Sequence, residues 1–563
     1  MGKNMLRTIL FMLLVIKSLV AGDDLIVKIS NGKVKGELMT TPNNKTFYAF
    51  RGIPYAKPPL GELRFQPPQK PDNWEGVLDS DAKDRMCIQL TSNLQPNESE
   101  DCLYIHVYTP QIPKEGRNVS LPVMYVIHGG GFETGSPSEI GPQYLMDYDM
   151  VIVYVGYRLC FLGFLSTEDL NCPGNNGLKD QQLGLKWVQR NIQSFGGDPK
   201  RVTIYGESAG AASVSFHLLA PNSKNLFIGA IQDSGSSLAN WAIQTKPTKI
   251  AYDFANRINS TINENNTSTL ELLKFFRTLD VQQIKKTSVE LFKEGFIESY
   301  NKLILGFGFS GAVEPEHDNA FLAKSPYQSF LSGDFYKVPT LIGVNSEESL
   351  FLAVDPNLEK RMMYFDNNTE WYLSRNIDVG NLTTRKLVGK KIRDIYDPSA
   401  PLHQNEALSI KYFSDTSFIR PTLKQAQLQS YHTDVYFYEL AYYGDIAIAP
   451  IPDVPGAGKV SHAQDLMYLF ARFGVTNVTS EGDKTTMKRM LTMWTNFVKY
   501  QNPTPKPLQL LQNTTWSKIE SLGMMPYLLI NDTLKVEHNY KKKMMDEYQQ
   551  IFDYYAQPPL TTY

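Results

Sequence analysis

The sequence predicts an α/β fold in which helices cover both faces of a large, mostly parallel central sheet, with helical insertions. Three observations lead there. Short β-branched runs alternate with amphipathic helical stretches from about residue 120, the runs themselves read as buried strands, and no internal repeat or low-complexity linker breaks the pattern. A strand covered on both faces has no solvent side to mark with polar residues, so it appears as an unbroken apolar run.

The elements follow in order. Val123-Met-Tyr-Val-Ile127 and Val151-Ile-Val-Tyr-Val155 are such runs, and Asp180 to Ile192 has helical spacing. Val202-Thr-Ile-Tyr205 is the next strand, followed at Gly206 by a turn into a new helix. Ala230-Ile-Gln232, Pro339 to Val344 and Val435 to Glu439 read as further strands, and Thr485 to Tyr500 and Tyr540 to Tyr555 as helices. The polar, helical stretch from Lys246 to Ile304 interrupts the strand rhythm and reads as an insertion. Residues 23–563 are therefore expected to form a single domain.

Composition narrows the function. With 42% hydrophobic and 12% aromatic residues the chain has ample core material, and 20% charged residues without long single-sign runs fit a globular protein. Fifty-six basic residues against 58 acidic ones leave a formal charge of -2, so no global positive field is available for nucleic acid or anionic lipid. Residues 1–22 resemble a secretory signal: Lys3 and Arg7 precede a mostly apolar run from Thr8 to Val20, interrupted by Lys17, and Val20-Ala21-Gly22 offers small residues for cleavage. No later stretch reaches about 18 apolar residues, and the end at Tyr563 has neither a retention signal nor a hydrophobic tail, so a secreted chain without membrane anchor is expected. Asn-x-Ser/Thr sequons at Asn44, Asn97, Asn118, Asn259, Asn265, Asn266, Asn367, Asn381, Asn477, Asn513 and Asn531 fit that route.

The chemistry concentrates at Gly206-Glu-Ser-Ala-Gly210, a Gly-x-Ser-x-Gly pattern between a strand and a helix. Ser208 must sit in a tight, strained turn that lifts its hydroxyl above the sheet, and side chains at 206 or 210 would strike the neighbouring strand and helix. The new helix also aims its N–H groups at the place where negative charge develops. Alone the pattern is weak, since about 0.2 chance matches are expected in a chain of this length. His128-Gly-Gly-Gly-Phe132, directly after a strand, strengthens it, because successive glycines let backbone N–H groups approach a substrate carbonyl.

These motifs, with Phe50-Arg-Gly-Ile-Pro-Tyr-Ala-Lys-Pro-Pro59, Glu100-Asp-Cys-Leu-Tyr104, Gly174-Asn-Asn-Gly-Leu-Lys-Asp-Gln181 and Phe195-Gly-Gly-Asp-Pro199, resemble the type-B carboxylesterases of the cholinesterase and carboxylesterase family, secreted insect esterases in particular. The resemblance runs nearly end to end. It implies an α/β-hydrolase fold, Ser208 as nucleophile, Gly130, Gly131 and Ala209 as donors to an oxyanion, and a Cys87–Cys102 bridge closing a loop of about 15 residues, worth roughly 3 kcal/mol in the loop-entropy picture. Cys160 and Cys172 read equally well as a second bridge or as two thiols.

The acid should follow the serine in this fold, just past a strand end. Asn345-Ser-Glu-Glu-Ser349 supplies Glu347 and Glu348, which face opposite ways on extended backbone, so one alone can meet a histidine. The resemblance selects Glu348, although Ser349 stands where the family motif carries glycine. It also assigns His462, in Gly458-Lys-Val-Ser-His-Ala-Gln-Asp465, as the base, with Asp465 a competing carboxylate. Ser234, in Gln232-Asp-Ser-Gly-Ser236, reads as a support for the acid or as a strand-end hydroxyl bonded to backbone. Glu207 flanks the nucleophile as a further supporting carboxylate.

No cofactor is called for, and the other histidines occur singly without a metal-ligand pattern. Gly306-Phe-Gly-Phe-Ser-Gly311, with Asp334 downstream, imitates a dinucleotide fingerprint but opens no helix of a βαβ unit. The Cys87–Cys102 segment lacks the tryptophan that binds choline in cholinesterases, and Glu207 departs from the Gln that juvenile-hormone esterases tend to carry. Both substrates are disfavoured. The expected substrate is a small to medium hydrophobic ester such as a xenobiotic, odorant, pheromone or hormone ester. Peptidase, lipase and triad-less adhesion functions also occur on the fold, and monomer and weak homo-oligomer stay open.

Overall fold

The computed structural model describes residues 25–79, 82–91, 93–116, 119–293, 308–446, 450–472, 478–520, 523–560 and 562–563. The leader reading at 1–22 and the sequons Asn118 and Asn477 fall outside them.

An eleven-stranded sheet organises the chain. Its strands in chain order are β1 (Glu37–Thr40), β2 (Thr46–Pro54), β3 (Tyr104–Thr109), β4 (Leu121–Ile127), β5 (Val151–Val155), β6 (Gly197–Glu207), β7 (Gly229–Asp233), β8 (Thr340–Asn345), β9 (Val435–Leu440), β10 (Pro526–Ile530) and β11 (Leu534–His538). They lie in the order β11-β10-β9-β8-β7-β6-β4-β5-β3-β2-β1. The block from β5 to β10 is parallel throughout, while β1, β2, β3 and β11 are antiparallel additions at the edges. This is the mixed, mostly parallel sheet of an α/β hydrolase.

The central strands show why they read as continuous apolar runs. In β4, Val123, Tyr125 and Ile127 enter one hydrophobic core, while Met124 and Val126 enter a second on the opposite face. Each core is covered by helices, so both pleats must be apolar. Burying such a side chain stabilises the fold by about 1.5–3 kcal/mol, which fixes the register of the strands that end at the site.

Helices α1 (Asn176–Asn191) and α2 (Ala209–Leu219) pack beside β4 and β6. Within the stretch read as an insertion, α3 (Pro247–Ile258), α4 (Thr269–Thr278) and α5 (Val281–Lys293) are described, and residues 294–307 are not. α4 begins with a full capping box between Ser268 and Glu271. Helices α6 (Glu406–Ser414) and α7 (Arg420–Ser430) are joined by one π-helical turn, Asp415–Ile419, and α8 (Glu481–Tyr500) and α9 (Lys542–Tyr555) complete the elements named in this account. Among the described residues no helix is long and apolar enough to cross a membrane.

Candidate active site

Strand β6 delivers Ser208 through a turn that its neighbours over-determine. Ser208 adopts φ 58° and ψ -122°, a costly conformation for a residue with a side chain. Its N–H donates to Asp233 O at 2.9 Å, and its carbonyl accepts the first helical bond of α2 from Ala212 at 2.9 Å. A Cβ on Gly206 would lie 2.2 Å from the backbone of Gly210, and one on Gly210 would lie 2.1 Å from Ile127 O. Only glycine fits either position.

The carboxylate expected to serve as the acid comes from the turn after β8. Glu348 is fully buried, and its Oε1 accepts from the Ser234 hydroxyl and from the Asn345 N–H, each at 2.6 Å. Its Oε2 lies 2.7 Å from His462 Nδ1, and the His462 N–H donates to the Glu348 carbonyl at 3.0 Å. Three donors on a buried carboxylate compensate the hydration it gave up. Ser234 reaches this position from the end of β7 in the left-handed region, at φ 59°.

The neighbouring Glu347 is also buried but points away. Its Oε1 accepts from the Ser414 hydroxyl at 2.5 Å and its Oε2 from the Gly458 N–H at 3.0 Å. Ser414 in turn accepts from the Ser349 N–H at 2.9 Å. Glu347 thus ties the turn to α6 and to the loop that carries His462, and the Ser349 N–H has a partner although the residue replaces a glycine.

The second imidazole nitrogen faces the elbow. Nε2 of His462 lies 3.2 Å from Glu207 Oε1, an ion-pair distance at an angle too poor for a hydrogen bond, so that oxygen is buried without a hydrogen-bond donor. No hydrogen bond joins the Ser208 hydroxyl to His462 in this structure; the imidazole is turned toward Glu207, the residue beside the serine. Burial lowers the proton affinity of His462, but the carboxylates of Glu207, Glu348 and Asp465 outweigh it and hold the imidazole up at about 9. Glu207 itself is pushed up to about 8, chiefly by burial and also by Asp465 and Glu348, against the opposing pull of His462.

The glycine loop lies against the same turn. A Cβ on Gly129 would lie 3.1 Å from Ser208 Cβ, and Gly130 and Gly131 both adopt positive φ, 100° and 65°. Ala209, the first residue of α2, is buried. Sequence reasoning missed the aromatic wall: the Phe418 ring is 4.4 Å from that of His462, Phe351 is 6.4 Å from it, and the Trp241 ring lies tilted against Phe418 at 5.7 Å. Phe418 sits in the π-helical turn, and no sequence periodicity marks it. Cys87 and Cys102 form a disulfide, whereas Cys160 and Cys172 stay as buried thiols. Among the described residues no cluster suited to a metal ion occurs.

The sequence profile of the carboxylesterase family matches residues 23–548. The chain belongs to the carboxylesterase family. This carboxylesterase is 34% identical over 519 residues to the juvenile hormone esterase of Tribolium castaneum, across 87% of the chain and 84% of that protein. It is 34% identical over 487 residues to esterase FE4 of Myzus persicae, across 84% of each. Among solved structures, the juvenile hormone esterase of Manduca sexta, crystallised with OTFP covalently attached, superposes with a TM-score of 0.81 at 26% identity, covering 94% of this chain and 100% of that one. The carboxylesterase is accordingly a carboxylic ester hydrolase of the α/β-hydrolase fold.

Proposed function

We propose that this chain hydrolyses small to medium hydrophobic esters through an acyl-enzyme on Ser208, with His462 as general base and Glu348 as the acid that orients it. The observation that carries the reading is the 2.7 Å contact of His462 Nδ1 with Glu348, which leaves Nε2 directed at the serine elbow. Ser208 Oγ attacks the ester carbonyl and passes its proton to Nε2. The resulting oxyanion accepts hydrogen bonds from the N–H groups of Gly130, Gly131 and Ala209. As the ester C–O bond breaks, His462 returns the proton to the departing alkoxide, releasing an alcohol. Water repeats the steps on the acyl-enzyme, releasing the acid and restoring the serine. Ser234 supports Glu348, and Glu207 supports the charged imidazole. No step in this sequence calls for a cofactor.

The aromatic wall of Phe418, Phe351 and Trp241 favours apolar esters over charged ones. We further read residues 23–563 as one domain of a secreted glycoprotein whose leader is 1–22. The Cys87–Cys102 bridge supports an oxidising compartment, and Asn44, Asn97, Asn259, Asn265, Asn266, Asn367, Asn381 and Asn513 stand exposed, with Asn531 partly so. The deciding experiment compares purified wild type with Ser208→Ala across esters of graded acyl and alcohol size. Turnover should vanish in the variant, with its folding and secretion intact; an unchanged rate overturns the assignment.

A further inference from the structure

A loop of glycines has no side chains to set its own register, so something else must hold the N–H groups of Gly130 and Gly131 in place. The loop first closes on itself. The N–H groups of Glu133 and Thr134 donate to Gly130 O at 3.0 and 2.9 Å. A Cβ on Gly135 would sit 2.4 Å from His128 Nδ1 and 2.6 Å from Gly129 O, so the end of the loop packs backbone to backbone on its start.

That end is gripped from another part of the chain. The buried side-chain amide of Gln89 accepts from the Gly135 N–H at 2.6 Å and donates to the Gly135 carbonyl at 3.1 Å, reproducing the paired bonds of a neighbouring strand. The same amide nitrogen donates to Cys87 O at 2.7 Å, and the Leu90 N–H donates to Glu133 O at 2.8 Å. Gln89 is itself fixed. Its N–H donates to Glu98 Oε2 at 3.1 Å, its carbonyl accepts from Lys285 Nζ on α5 at 2.9 Å, and Lys285 and Glu98 form a buried ion pair at 2.6 Å. The disulfide loop and the helical insertion are thereby joined to the glycine loop through Gln89, with the Leu90–Glu133 bond beside it.

We propose that Gln89 is a positioning residue for the oxyanion hole: it holds both backbone groups of Gly135 and so sets the N–H groups of Gly130 and Gly131 against the tetrahedral intermediate. This rests on the reading of those glycines as oxyanion donors. Such donors act when they lie about 2.7–3.1 Å from the oxyanion, and misplacement by about 1 Å can cost 100-fold. The amide acts only through the loop and touches no substrate.

The test uses Gln89→Glu, which loses the donor and opposes two carbonyls, Gln89→Leu, which loses all three bonds, and Gln89→Asn, which keeps an amide one methylene short. Full titration with an organophosphate counts active sites, so yield does not enter the comparison. Per titrated site, kcat should fall about 10- to 100-fold in Gln89→Glu and Gln89→Leu and less in Gln89→Asn, with KM within about threefold. The Ki of an aryl trifluoromethyl ketone, whose serine adduct places an oxyanion in the same pocket, should rise by the same factor as kcat/KM falls. A merely structural role would lower the melting temperature and the number of titratable sites while leaving per-site kcat and ketone Ki unchanged. Per-site kcat within twofold of wild type in every variant that can be titrated, or a fall in kcat without a matching rise in Ki, overturns the proposal. Failure of the wild type itself to be labelled, or full activity in Ser208→Ala, would instead strike the esterase site from which it starts.

Discussion

Glu207 Oε1 lies 3.2 Å from Nε2 of His462, so the imidazole has a carboxylate at each of its two nitrogens. An imidazole so placed binds its proton more tightly than a solvated histidine, although burial works the other way. Under the proposed mechanism the imidazole must be neutral to accept the serine proton, so kcat/KM should rise with pH along a limb above 6.5. Glu207→Gln removes one of the opposing charges and should lower that limb by about one pH unit. A pH–rate profile of the two enzymes checks it, and an unmoved limb would mean that Glu207 does not set the proton affinity of the base.

The two adjacent glutamates should separate by what they damage. Glu348→Gln should cut kcat about 1,000- to 10,000-fold, because an amide no longer holds the imidazole in the tautomer that accepts the proton, with little change in melting temperature. Glu347→Gln would set an amide NH2, a donor, against the Gly458 N–H or the Ser414 hydroxyl that now donate there, and should cost about 1–3 kcal/mol of stability. Its kcat should fall less than tenfold. Steady-state kinetics paired with thermal melts distinguish them, and the opposite pattern would exchange their roles.

Gly210→Ala should abolish accumulation of folded enzyme, since the new methyl meets Ile127 O at 2.1 Å, backbone that cannot yield without moving β4. A cost of about 3 kcal/mol or more is expected. Gly61→Ala is the contrast: φ is 57° but nothing lies within 4 Å, so only the left-handed backbone penalty of about 1 kcal/mol should appear. The yield of folded protein and the melting temperature of the two variants provide the measurement.

Asp465 links the site to stability. It is fully buried, accepts from Tyr438 at 3.2 Å, and is pushed up to about 6 by burial first and by Glu348 second. A carboxyl whose affinity for its proton is raised by folding contributes stability that is complete below pH about 4 and is lost as the pH climbs through about 6. Asp465→Asn removes that titration. The variant should therefore gain stability on wild type as the pH rises from 4 to 7, visible in denaturant melts at the two values. A constant difference between the two proteins across that range would contradict the reading.

What could be read from residues alone follows the physics of burial. β4 and β5 are covered on both faces and appear in the sequence as bare apolar runs, while β6 announces itself by the glycines its elbow demands. The edge strands β1 to β3 were not legible. β1 alternates partly buried and exposed residues, and β2 ends at Pro54. Polarity could not choose between Glu347 and Glu348, because both are buried and both are satisfied. The insertion was visible by its polar helical spacing, whereas Phe418 and Gln89 act through contacts made across the fold and leave no periodic trace. α1 begins at Asn176, ahead of the expected Asp180. Its first turn follows Asn175, a left-handed residue whose amide is claimed by Ala312 and Glu314 far along the chain.

The loop bearing His462 follows β9, and the sheet beyond it is closed only by β10 and β11. A ribosome therefore exposes the serine long before any base exists to activate it, and under the mechanism proposed above a truncated or half-synthesised chain is chemically inert toward the esters around it.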